Sequence, residues 1–172
     1  MKSLVTSLCV VLTVVLLLLG GCKSKEEAPA RAAIGLPAPP FTLTDTEGKR
    51  WSLAELRGKV LFVNFWATWC PPCRGEMPSM EALNRSMQGK PFQMLTILVN
   101  DDPALARNFV ASLGGTFPVL VSPDDAVGKA YGITGVPETF IIDGEGLLRE
   151  KHIGPRDWNS EEAKAMLRSL IP

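Results

Sequence analysis

The sequence has no excess of charge of one sign, with Lys and Arg together numbering 18 and Asp and Glu also 18. A surface balanced in this way builds no field to gather nucleic acid or an anionic membrane, so nucleic-acid binding is excluded. The four tryptophans, Trp51, Trp66, Trp69 and Trp158, are not interleaved with basic clusters. They point to core or active-site packing rather than base stacking. Histidine is represented once, by His152, and cysteine four times. No apolar run reaches the roughly 20 residues with which a helix spans a bilayer. What is present is the balance of a folded soluble body, 46% hydrophobic and 21% charged over 172 residues, a length that suits one domain plus a short leader.

The N-terminus reads as an address. Lys2 is followed by a mostly apolar stretch from Leu4 to Leu19 and then by Gly20-Gly21-Cys22, the layout of a secretion signal. Leu19-Gly20-Gly21-Cys22 resembles the lipobox of bacterial lipoproteins, which implies cleavage after residue 21 and a diacylglycerol thioether on Cys22. The expected organisation is a signal peptide over 1–21, a lipidated tether and flexible polar spacer over 22–33, and a folded domain over 34–172. Lys23, standing where Asp would hold a lipoprotein at the inner membrane, resembles the sorting signal for the outer membrane of a Gram-negative cell. Cys9 leaves with the signal and Cys22 is alkylated, so Cys70 and Cys73 remain as the free thiols. Two cysteines and His152 cannot supply the four ligands of a structural zinc site, and no metal is expected.

Along the domain, alternation in 41–44 and 49–52 around Asp45-Thr46-Glu47-Gly48 predicts an N-terminal hairpin, with Ser52 capping a short turn through Leu56. Val60 to Trp66 is apolar and β-rich, as in a central strand buried on both faces, with Asn64 the only polar intruder. Helical spacing of Met77, Met80, Leu83, Asn84 and Met87 follows Cys70, and Pro78 inside it predicts a kink. Strands are expected over 92–99, 117–121, 139–142 and 147–153. Helices are expected over 103–113, where Asp102-Pro103 gives an N-cap and a first-position proline and Gly114-Gly115 a stop, and over 124–131 and 160–170. The order suggests a βαβ unit followed by ββα.

The chemistry centres on Trp69-Cys70-Pro71-Pro72-Cys73. A strand-to-helix turn places the first cysteine against unpaired N–H groups and the positive end of the helix, which favours its thiolate. A thiolate is the attacking species in disulfide exchange, and the second cysteine is close enough to resolve a mixed disulfide. An inert structural bridge is the weaker account, since closing so short a loop restrains the unfolded chain little.

The segments FVNFWATWCPPCRGEMP and YGITGVPETFIID resemble the TlpA/ResA-like branch of thioredoxin-fold proteins, close to the cytochrome c maturation reductases. This resemblance implies an α/β thioredoxin fold, a central mixed sheet flanked by helices, with the added hairpin. It implies Cys70 as nucleophile, Cys73 as resolving thiol, and an active-site rim of Trp69, Pro71, Pro72, Val136, Pro137 and Glu138. Val136-Pro137 matches the family's cis-proline loop, although an X–Pro bond taken alone is expected trans. Thioredoxin itself carries a buried aspartate where Asn64 stands. Glu76, one helical turn after Cys73, matches the acidic residue of this branch and is assigned proton transfer and pKa tuning, against the alternative of an exposed first-turn glutamate. Glu138 is expected to raise the thiol pKa values or contact a partner, or else to lie on the surface. His152 is expected on the surface.

The function these residues imply is an extracytoplasmic, membrane-anchored, monomeric thiol-disulfide oxidoreductase without cofactor. Its partners would be disulfide-bearing exported proteins, apocytochrome c among them, a membrane-embedded thiol donor, and the bilayer through Cys22. An oxidant or isomerase of the same fold is the alternative, because direction depends on reduction potential. A peroxiredoxin would need Pro at position 63 and Thr or Ser at 67, where Val63 and Ala67 stand. A copper-delivery protein of the Sco type would need one more residue between the cysteines.

Overall fold

The structure, a computed structural model, describes residues 31–171. The signal segment, Cys22 and most of the spacer lie outside these residues. Seven strands form one mixed sheet. In chain order they are β1 (Thr42–Asp45), β2 (Arg50–Ser52), β3 (Val60–Trp66), β4 (Phe92–Leu98), β5 (Val119–Val121), β6 (Glu138–Ile142) and β7 (Leu148–Ile153). The helices are α1 (Pro71–Ser86), α2 (Pro103–Ser112), α3 (Ala126–Tyr131) and α4 (Glu161–Ser169). Spatial order is β2-β1-β5-β4-β3-β6-β7. β3 runs parallel to β4, and β4 to β5, while β6 is antiparallel to β3 and β7 to β6. The β1–β2 hairpin extends the sheet by pairing Thr44 and Asp45 with Val121 and Leu120.

β3 lies inside the sheet between β4 and β6, and every one of its residues is buried, because each face of the sheet is covered. Val60, Phe62 and Trp66 face the core beneath α1, α2 and α4, with Met77, Met80, Leu83, Ala106, Val110 and Leu167. Leu61, Val63 and Phe65 face the opposite cluster, made with Phe41, Leu53, Val127, Tyr131 and Phe140. The period of two that sends alternate side chains to opposite faces therefore runs inside a continuous apolar segment. It also sends Asn64 to the α1 side. Full burial of each such large side chain contributes about 1.5–3 kcal/mol.

Ser52 precedes a 3₁₀ turn over Leu53–Leu56 but makes no side-chain capping bond to it, whereas other expected ends are met by local chemistry. Asp102 accepts the Ala104 amide at 2.7 Å as N-cap of α2, with Pro103 following, and Gly114 beyond the helix takes φ +63. Ser160 caps α4 through the Ala163 amide at 3.2 Å. Both hairpin turns use an aspartate in the same way. Asp45 accepts the amides of Glu47 and Lys49, and Asp143 those of Glu145 and Leu147, all at 2.9 Å.

Two element starts differ from expectation by two residues. α3 starts at Ala126 rather than 124, because Pro123–Asp125 form a 3₁₀ turn in which Asp124 and Asp125 take φ of 54° and 53°, a region the short Asp side chain tolerates. β5 begins at Val119 rather than 117, since the Pro118 carbonyl turns to the Thr96 amide and hydroxyl. The chain is tied to the body before residue 34, the Ala32 amide donating to the Ala130 carbonyl at 3.2 Å. Among the described residues no helix is long and apolar enough to cross a membrane.

Candidate active site

β3 ends at Trp66, and the chain turns through Ala67-Thr68-Trp69 to enter α1 at Cys70. Cys70 is the N-cap: its Sγ lies 3.2 Å from the Cys73 amide nitrogen, which donates to it. Pro71 and Pro72 occupy the first positions of the helix, where a missing N–H costs nothing. Cys70 and Cys73 are joined by a disulfide. Cys70 is nearly buried and Cys73 wholly so, which leaves the first sulfur as the one that a partner can approach. A sulfur at this point faces the unpaired amides and positive end of α1, an environment that favours thiolate once the bond is opened.

The rim is assembled from three loops. Trp69 is 59% exposed, and its indole N–H donates to the Asn100 carbonyl at 3.2 Å, in the loop between β4 and α2. That loop is itself held to the turn, because Asp101 accepts the Thr68 amide. Pro71 and Pro72 are exposed, while Val136 is half-buried and Pro137 buried. The Val136–Pro137 bond is cis, and the Val136 carbonyl oxygen lies 3.5 Å from Cys70 Sγ. The structure thus brings Trp69, Pro71, Pro72 and Val136 around the redox pair.

Glu76 lies one turn beyond Cys73 along α1 and is only 4% exposed. Asn64 Nδ2 donates to its Oε1 at 3.0 Å, and Trp158 Nε1 and the Arg156 amide donate to its Oε2 at 3.1 and 3.2 Å. The exposed first-turn glutamate is therefore not what the structure contains. Burial pushes the Glu76 carboxyl above its usual range, against the opposing pull of hydrogen bonds from Trp158, Arg156 and Asn64. Asn64 also donates to Thr139 Oγ1 at 2.9 Å. A buried carboxyl with a raised pKa, one turn from a thiol, is the kind of group that serves as a proton acceptor and donor.

Glu138 does not lie on the surface, the alternative the sequence left open. It is fully buried, and its register opposite Phe65 places it on the sheet face away from α1. Oε1 accepts the Thr134 amide and hydroxyl at 2.7 Å and the Gly135 amide at 3.2 Å, and Oε2 pairs with Lys151 Nζ at 2.9 Å. Burial alone would raise its pKa. The hydrogen bonds and charge of Lys151 and Thr134 more than offset this and hold it below the usual range. Its work is to shape the loop that presents the Val136 carbonyl. His152 also departs from a plain surface position. It is half-buried, its Nδ1 is 3.2 Å from an Arg156 guanidinium nitrogen, and its ring meets Trp158 edge-on at 5.3 Å.

Trp158 and Arg156 are the partners that sequence reasoning did not connect to Glu76. The available signal was the indole N–H of a tryptophan bound for the core, which needs an acceptor when buried. No group of three or more His, Cys, Asp and Glu side chains that could hold a metal occurs among the described residues.

A disulfide at the N-terminus of a helix that leaves a fully buried strand of a mixed sheet, beside a cis-proline loop and with a buried carboxyl one turn along that helix, defines a thioredoxin-fold thiol-disulfide oxidoreductase. Comparison with known proteins agrees: the Redoxin family model matches residues 33–167, and the chain belongs to that family. It is 37% identical over 140 residues to the thiol-disulfide oxidoreductase ResA of Geobacillus thermodenitrificans, covering 81% of this chain and 79% of that one. Among solved structures it is similar to a thiol:disulfide interchange protein of the thioredoxin family from Chlorobium tepidum, with TM-score 0.71 and 32% identity over 81% of this chain and 99% of that one. It is also similar to the pneumococcal exposed lipoprotein thioredoxin of Streptococcus pneumoniae, with TM-score 0.62 and 28% identity over 76% and 97%.

Proposed function

We propose that this oxidoreductase works as a disulfide reductase for exported proteins, apocytochrome c among them, while tethered outside the cytoplasm through acylated Cys22. The observation that carries the reading is the buried Glu76 one helical turn from the resolving cysteine. The Cys70 thiolate attacks a substrate sulfur, breaking the substrate disulfide, forming a mixed disulfide and releasing one thiolate. Glu76 takes the Cys73 proton, and the Cys73 thiolate then attacks Cys70 Sγ. The second substrate thiolate leaves, protonated in turn. Two electrons have passed to the substrate, and Cys70–Cys73 is left as the disulfide seen here. Trp69, Pro71, Pro72, Val136 and Pro137 form the surface against which the substrate chain lies.

Recycling needs a dithiol donor that crosses or sits in the membrane, because cytosolic reducing systems do not reach an oxidising compartment. The tether is supported by the Leu19-Gly20-Gly21-Cys22 motif and by the likeness to a lipoprotein thioredoxin. Lys23 favours the outer membrane in a Gram-negative envelope. The domain layout of signal over 1–21, tether over 22–33 and enzyme over 34–172 belongs to the same proposal.

The test is a trap. Cys73→Ser in cells that secrete c-type cytochromes should accumulate mixed disulfides through Cys70 with exported proteins in the membrane fraction. Absence of any Cys70-linked adduct, or adducts only with cytosolic proteins, contradicts the proposal.

A further inference from the structure

Two of the three donors to Glu76 come from one short segment, the loop between β7 and α4, which supplies the Arg156 amide and the Trp158 indole to Oε2. A loop places donors in this way only when it is itself fixed. Ser79 ties it from beneath, its Oγ accepting the Trp158 amide at 3.1 Å and donating to the Glu76 carbonyl at 2.7 Å. From the outer side the fixing group is the Arg156 guanidinium. Nη1 lies 3.2 Å from His152 Nδ1, and Nη2 donates to Glu162 Oε1 at 3.0 Å. The same guanidinium sits 5.4 Å from the Trp158 ring. His152 meets that indole edge-on at 88°, and Phe62 meets it at 84° from β3, with centroids 4.7 Å apart.

A guanidinium keeps its protons in proteins, so Nη1 must donate and His152 Nδ1 must accept. The contact therefore requires a neutral imidazole protonated at Nε2. Burial and the neighbouring Arg156 charge both disfavour the imidazolium. The charged groups facing His152 are Arg156 from the loop, Glu150 from its own strand and Glu162 from α4.

We infer that His152 and Arg156 form a clamp that holds the Trp158 indole and the Arg156 amide on Glu76, so that this carboxylate keeps the donors it needs to lose and regain a proton during disulfide exchange. Both are positioning residues acting through Glu76, and the inference rests on the reading of Glu76 as the proton-transfer group. Loss of donors to an ionised carboxylate favours its protonated form, so loosening the clamp shifts the titration of Glu76 upward.

The experiment follows that carboxyl directly in the full-chain, oxidised protein with isotope-labelled glutamate carboxyls. The Glu76 resonance is assigned by its loss in Glu76→Gln. Arg156→Ala is expected to raise the titration midpoint by about one pH unit. His152→Phe, which keeps an aromatic edge on Trp158 but removes the Nδ1 acceptor, is expected to raise it by less, and it decides alone should Arg156→Ala fail to fold. Glu162→Gln, which removes an exposed partner, is expected to leave the midpoint in place. Midpoints that superimpose on the parent in folded Arg156→Ala and His152→Phe overturn the clamp. The pH–rate profile of disulfide reduction by the same proteins separates the clamp from the role of Glu76. A carboxyl midpoint that moves while the rate profile stays fixed keeps the clamp and removes Glu76 from proton transfer.

Discussion

Replacing Asn64 by Asp tests the electrostatics of the buried site. In this chain the amide nitrogen of Asn64 is 3.0 Å from Glu76 Oε1 and 2.9 Å from Thr139 Oγ1. The substitution puts a carboxylate oxygen where a donor stood, beside a carboxylate already lifted by burial. Two full charges at about 3 Å repel by about 5.5 kcal/mol at an effective dielectric constant of about 20. The pair therefore holds one proton at neutral pH, as adjacent carboxylates do. The sign of the stability effect follows from linkage. The native state binds a proton that the unfolded chain releases near pH 4, so stability falls as pH rises above that point, and the loss is complete once pH passes the raised native pKa. Urea unfolding of Asn64→Asp should show a loss of under about 1 kcal/mol at about pH 4.5, growing to about 3–5 kcal/mol at about pH 8. A loss that is the same at both pH values would refute the reasoning, because a packing defect does not titrate.

Cys70→Ser should abolish turnover, whereas Cys73→Ser should still attack a substrate disulfide once and stall, which mass spectrometry of the adduct resolves. Glu138→Gln should weaken the Lys151 pair and loosen the loop carrying Val136. The expected cost is about 2–4 kcal/mol by urea unfolding, with KM raised more than kcat is lowered. Since the Glu138 pKa is held low in the folded state, its stabilising contribution is present above the unfolded carboxylate range and disappears as pH falls through the folded value. The gap between parent and Glu138→Gln should therefore narrow in acid. Gly146→Ala forces a side chain onto φ +80, and that backbone strain should cost about 1–2 kcal/mol in a thermal melt.

The parts legible in the sequence are those that local chemistry decides. The run from Val60 to Trp66, apolar and rich in β-formers, read as a strand covered on both faces, and Asp102-Pro103 marked a helix start because an aspartate oxygen and a missing N–H suit that place. The cysteine pair announced itself through its spacing and the helix that follows. What the sequence hid depends on groups brought together from afar. Glu76 is assigned to proton transfer through the family resemblance alone, because nothing near it in the sequence signals burial. Its donors arrive from Asn64 on β3 and from Arg156 and Trp158 after β7. Glu138 is expected at the active-site rim or on the surface, and the Lys151 charge and Thr134–Gly135 donors that offset the cost of burying a carboxylate become neighbours only when β6 pairs with β7 and the loop folds back. His152 was hidden in the same way, its partners lying in the loop and helix beyond its strand.

The most direct test of the central claim is the equilibrium reduction potential of Cys70–Cys73, measured on protein beginning at Arg31 against a glutathione or dithiothreitol series, with Cys70→Ser as control. A disulfide reductase predicts a reversible two-electron couple near or below the roughly −270 mV of thioredoxin. A couple near the roughly −120 mV of DsbA would make the enzyme an oxidant and contradict the proposed direction, and no reversible couple at all would contradict thiol-disulfide exchange by this pair.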